Sequence, residues 1–284
     1  MFGAALFPLY TQPGRADDPS ARFFVWLRTT LVIAAFAALI SGILWFLFTA
    51  ANMTGDLAGA IDRDTLSLVL TETRFGWVWT GRLALAVIIL VLLVTRRPDK
   101  LLAILTAALT ASLAGVGHTQ VEEGVARLIH VGADGAHLLA AGAWLGGLVP
   151  LLYFVSTAAR PAAAEQRSAI GDVLLRFSGV GQLAVATLIG SGLINSWYLV
   201  GTFDLMRTPY GQLLLVKLAL FVGMLLLAAL NRFWLVPALA EKSASGETTA
   251  LFRLRRHILG EQILGVLIIL IVSLLGMSQP SAVA

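Results

Sequence analysis

Three of the chain's four histidines, His118, His130 and His137, fall close together. A neutral imidazole offers a nitrogen lone pair to a metal or a proton near neutral pH, so a grouped set marks a candidate site. On a helix, the spacing of seven from His130 to His137 puts both rings on one face, two turns apart, with Asp134 between them. At about 1.5 Å of rise per residue their attachment points stand about 10 Å apart. That is long for one small ion and suits two stations better. Asp134 reads as a ligand or as the acceptor that orients a ring, and His118 can complete either station. Met53 adds a thioether at the same outer side, and thioether with imidazole suits Cu(I). Met206 and Met277 lie near outer ends as well. The plainer reading makes each His a hydrogen-bonded boundary residue and each Met a lipid-facing filler; the grouping of three His with a carboxylate favours a metal or cofactor site.

A second constellation lies at the opposite end. Glu261 follows His257 by four residues, one turn inside an apolar run. A carboxylate there is costly unless paired. It reads as the partner of His257 or a neighbouring Arg, or as an inner exit or proton site. Arg82 and Lys217 are expected to snorkel toward outer ends, with Glu72 or Asp204 as partners.

The elements that must hold these residues are set by composition. Of 284 residues, 58% are hydrophobic and 13% charged, with a mean hydropathy of +0.86. Soluble domains run at about 45–50% apolar and about 25% charged, so the sequence predicts an all-α polytopic transmembrane bundle. Seven apolar runs, roughly 29–51, 76–95, 101–117, 136–157, 173–200, 210–236 and 257–278, approach or exceed the about 20 residues a span needs. The third is the shortest. The opening FGAALFPLY is too short to span and reads as the tail of a further helix. The loop 52–75 is expected to carry a short interfacial helix around 64–73, and 237–256 reads as a cytoplasmic linker. No soluble domain is visible, so residues 1–284 read as one membrane domain. The absence of cysteine excludes disulfide scaffolds, iron–sulfur clusters and Cys-based zinc sites. No GxxxxGK[ST] loop is present, which argues against an ATP-driven pump.

The formal charge of +4 and pI near 9.8 raise the question of nucleic acid. Position answers it. With the segment before residue 29 inside, fourteen Lys and Arg fall on inner segments, including Arg28, Arg96, Arg97, Arg160, Arg232 and Arg256; four fall outside, at Arg63, Arg74, Arg127 and Arg207. That bias is the positive-inside rule and places the C-terminus in the periplasm. The outer loops carry Asp56, Asp62, Asp64, Glu72, Glu122 and Glu123, which draw cations. Within the fourth run, Gly142, Gly146 and Gly147 surround Trp144 as a packing seam for close helix approach.

Several stretches carry a family resemblance: LVLTETRFGWVWTGRL (68–83), GHTQ (117–120), HLLAAGAWLGGLVPL (137–151), RFSGVGQLAVATLIGSGLIN (176–195) and TPYGQLLLVKLALFVGMLLLAALNR (208–232). Together with the opening FGAALFPLY they resemble the copper-resistance D (CopD) family of bacterial inner-membrane proteins along the whole chain. The resemblance implies copper moved toward the cytoplasm, often beside a periplasmic CopC-like copper-binding partner. It carries the family's membrane-associated histidines to His118 and His137 and its first-loop methionine to Met53. The family pattern resembles eight helices, one more than the full spans counted above. The expected protein is thus a carrier, not an enzyme, with His118, His130, His137, Met53 and Asp134 at the outer site and Glu261 with His257 at an inner exit. Two alternatives stand beside it. One is a b-type haem protein with His118 and His137 as axial ligands; the other is a copper-sensing or assembly scaffold.

Overall fold

The computed structural model describes residues 1–11, 19–95, 100–115, 124–159, 164–200, 208–237 and 244–277. The described residues form helices joined by short turns. In chain order they are α1 (Phe2–Thr11), α2 (Pro19–Thr54), α3 (Arg63–Glu72), α4 (Arg74–Thr95), α5 (Lys100–Ala111), α6 (Gly124–Ala158), α7 (Ala164–Val200), α8 (Pro209–Leu230) and α9 (Ala244–Met277). Six of these segments are long and apolar enough to cross a membrane. Large apolar side chains such as Ile33, Trp45, Leu183 and Ile263 stand exposed along them, as a lipid-facing surface requires. This is the polytopic helical bundle that composition predicts.

Several boundaries differ from the apolar runs. The third run becomes α5 followed by a 3₁₀ turn, Ser112–Gly115. Together they rise about 26 Å, short of the about 30 Å hydrocarbon core. α6 starts at Gly124, twelve positions ahead of its apolar run, because amphiphilic residues extend a helix that hydropathy alone cuts short. α9 starts at Ala244, inside the polar stretch 237–256.

The chain forms two compact units, Met1–Leu9 with Gly14–Gly142, and Tyr10–Pro13 with Ala143–Ala284. In the first, α2 packs on α4 through aromatic rings. Phe75 stacks on Trp79 at 5.1 Å, Trp45 on Trp79 at 6.1 Å, and the Trp79 indole N–H donates to the Gly42 carbonyl at 2.8 Å. Each such ring pair contributes about 0.5–1.5 kcal/mol beyond its contact area. The expected interfacial helix is α3. Asp62 caps its N-terminus, accepting from the Thr65 backbone N–H at 2.8 Å and the Thr65 hydroxyl at 2.6 Å. At the joint to α4, Thr73 Oγ1 accepts from Gly76 N–H at 2.9 Å. A Cβ on Gly76 would sit 2.0 Å from the Val69 carbonyl oxygen, so only glycine fits there.

Arginines inside this unit bond to helix ends. Arg28 donates from Nε to the Leu93 carbonyl at 2.7 Å and from Nη2 to the Val94 carbonyl, closing the end of α4. Arg82 donates to the Leu109 carbonyl at 2.9 Å and to Ser112 Oγ, and lies 5.1 Å over the Trp79 ring. The end of α5, where the Leu109 carbonyl accepts from both Arg82 and Ser112 Oγ, therefore takes the role expected of Glu72; Asp204 lies outside the described residues.

In the second unit, Thr208 Oγ1 caps α8 by accepting from Gly211 N–H at 3.2 Å, with Pro209 at the first helical position. α8 packs along α9 where glycines admit leucines: Gly260 faces Leu227 and Gly223 faces Leu264. On α6, a Cβ on Gly147 would meet the Phe177 ring at 2.9 Å, which bears out the packing seam at that position. α8 ends in a π turn, Asn231–Leu235.

Candidate functional site

The π turn sets the best-defined polar site. Widening a helix by one residue re-aims the side chains that follow, and such bulges concentrate at functional sites. Here it carries Asn231, 9% exposed, against Glu261 of α9, 3% exposed. Asn231 Nδ2 donates to Glu261 Oε1 at 2.7 Å, and Asn231 Oδ1 lies 2.8 Å from His257 Nδ1. The indole of Trp144, from α6, hydrogen-bonds the same carboxylate. With the carboxylate ionised, the amide must turn its N–H₂ to Glu261 and its oxygen to the ring. The imidazole hydrogen then sits on Nδ1, and a neutral ring keeps its lone pair on Nε2.

Glu261 and His257 are therefore brought together, but through an amide from another helix rather than by the direct i, i+4 pair their spacing suggests. Arg232, the nearby cation, donates instead to Ser178 Oγ and lies 5.9 Å over the Phe233 ring. A cavity of about 550 Å³ opens beside the network, its largely apolar lining interrupted by Gln182, Ser178, Arg232, Asn231 and Glu261. Sequence reasoning missed Asn231 and Trp144. The signal for Asn231 was a lone amide closing an apolar run; Trp144 gave none beyond its glycine neighbours.

The histidine constellation is built on α6. His130, Asp134 and His137 all lie within this one helix, so their shared face follows from its geometry. His130 is buried, and Asp134 and His137 are half-buried. Met53, on the last turn of α2, is exposed. His118 lies outside the described residues, as does Met206. Among the described residues, no three His, Asp or Glu side chains gather closely enough to hold a metal ion. Met277 is exposed at the end of α9.

Membrane-length apolar helices enclosing a buried carboxylate and amide beside a half-buried imidazole define a polytopic helical membrane protein. Its relationships are specific. A family model described as "Copper resistance protein D-like, N-terminal domain" matches residues 1–128, and one described as "Copper resistance protein D" matches residues 171–275. The chain is 32% identical to "Inner membrane protein YebZ" of Escherichia coli (strain K12), over 99% of this chain and 93% of that protein. It is 30% identical to "Copper resistance protein D" of Pseudomonas syringae pv. tomato, over 99% of this chain and 92% of the relative. "Copper transport protein CutJ" of Bacillus subtilis (strain 168) is 27% identical over 81% of this chain, which spans 43% of that longer protein. No solved structure matches the chain significantly. The chain belongs to the copper-resistance D family, and it is a copper-related membrane protein.

Proposed function

We propose that the protein carries copper across the bacterial inner membrane, from periplasm to cytoplasm. Copper is its cargo, taken up at an outer site by His130, Asp134 and His137 of α6 with His118 and Met53. The observation that carries this reading is the run of imidazole, carboxylate and imidazole on one helix face, in a chain whose relatives include proteins named for copper resistance and copper transport. Imidazole and thioether suit soft copper. The acidic outer loops raise its local concentration. A periplasmic CopC-like protein delivers the ion, Glu261 and His257 stand at the inner end of the route, and the C-terminus is periplasmic.

Copper uptake tests the reading. Cells expressing wild type and Glu261→Gln are loaded with copper, and total cellular copper is normalised to membrane protein. Wild type should accumulate copper above vector controls, and the variant should accumulate less while the purified protein binds the same amount. Equal accumulation in wild type and vector controls sinks the import proposal.

A further inference from the structure

We propose that Glu261 is a proton-binding site whose state is passed to His257 through the side-chain amide of Asn231. Its link to ion movement rests on the transport reading above; the proton site itself rests on geometry. Glu261 is buried within a membrane span, and its two donors, Asn231 Nδ2 and the Trp144 indole, are both neutral. An ionised carboxylate in such a place needs a cation.

Among the described residues, no Lys or Arg is seen to pair with Glu261. From α7, Arg176 donates to the Tyr10 carbonyl at 3.2 Å. From the π turn, Arg232 bonds Ser178 and covers the Phe233 ring. On α9, Arg253, Arg255 and Arg256 are exposed, and His257 reaches Asn231 rather than the carboxylate. α6 presents the uncharged Trp144. On α8, Lys217 lies about 21 Å along the helix axis from Asn231. A proton is the cation these contacts leave for Glu261, and the cavity beside it is roomy enough to admit the waters that would carry it, with Ser178, Gln182 and Arg232 in its lining to hold them.

Asn231 makes the site more than a lone acid. With Glu261 ionised, the amide gives N–H to the carboxylate and takes N–H from His257 Nδ1. When a proton adds to a Glu261 oxygen, the new hydroxyl becomes a donor and the amide can turn over, presenting oxygen to the acid and N–H₂ to the ring. His257 must then bare Nδ1: that hydrogen leaves to water and another arrives from water at Nε2. The net gain is one proton, held on Glu261. The charge of one residue thus selects the tautomer of another with no direct bond between them.

Infrared difference spectroscopy on the full chain in lipid bilayers reads the site directly. On acidification, wild type should gain a carboxylic acid C=O band that Glu261→Gln loses. Trp144→Phe and Asn231→Leu each remove one donor that favours the carboxylate, so each should strengthen the band at a fixed pH. These two variants keep the test open if Glu261→Gln does not fold. Identical difference spectra in wild type and all three variants overturn the proposal. Addition of Cu(I) separates the two readings: a band that titrates and changes with copper supports both. A band that titrates but ignores copper keeps the proton site and removes its link to copper transport.

Discussion

Asn231 and Glu261, thirty positions apart, meet at 2.7 Å inside the second unit, and the amide that donates to the carboxylate also faces His257. The pair therefore ties the end of α8 to the middle of α9, and the 2.8 Å contact of Asn231 with His257 ties them a second time. Replacing Asn231 with Leu removes that bridge and strands a buried acceptor, a change that costs about 1–3 kcal/mol. Thermal unfolding of the purified protein should shift downward in Asn231→Leu. The double variant with Glu261→Leu should lose less than the sum of the two single changes, because the partner left unsatisfied is gone. Additive losses would show that the two side chains do not act together.

Copper content tests the site proposed on α6. His130→Ala and His137→Ala should each lower the copper bound per purified molecule, and removing a ligand should exceed the about 10–100-fold affinity loss typical of changes behind the ligands. His257→Ala should leave that binding unchanged. Elemental analysis showing full copper in both outer variants would remove α6 from the site.

Reporter fusions at Asp62, Ala244 and Ala284 should read outside, inside and outside. The expectation comes from the Lys and Arg distribution. The short α5 is the segment on which it turns, since an α5 that does not cross would reverse every later loop. An inside signal at Ala284 with an inside signal at Ala244 would point to a fault in α9 instead.

The cap of α3 should depend on pH. Asp62 accepts two hydrogen bonds from Thr65, which hold its carboxyl below the usual carboxylate range. A carboxyl with a lowered folded value stabilises the helix above its unfolded value and loses that contribution as pH falls through the folded one. Protection of the first α3 amides against hydrogen exchange, relative to the intrinsic exchange rate at each pH, should therefore fall under strong acid, and Asp62→Ala should show the lowered protection already at neutral pH. Equal protection in the two proteins at neutral pH would deny the cap.

Gly76→Ala should lower the yield of folded protein. The added methyl would stand 2.0 Å from the Val69 carbonyl oxygen and 2.7 Å from the Leu70 Cα, which are backbone atoms that cannot swing away. Gly265→Ala makes the control, because its close neighbour is the flexible end of Leu145. Similar yields for the two would mean that α3 and α4 separate at little cost.

The helical class, the membrane, the short helix α3 and the family were legible in the residues alone. Each depends on properties that add along the chain: hydropathy over a span, charge at its flanks, motif spelling. The shared face of His130, Asp134 and His137 was legible too, because all three lie on one helix and its period is known. What local pattern could not supply was any partner on another helix. Arg82 was expected at Glu72 but bonds to the end of α5, since a helix-end carbonyl there accepts from a guanidinium as a carboxylate would. Glu261 was expected at His257 but is held by Asn231 and Trp144. Only the packing of α6, α8 and α9, with a π turn that changes the direction of one amide, decides which polar groups meet in an apolar interior. Lipid offers those groups no alternative partner, so the tertiary structure supplies one.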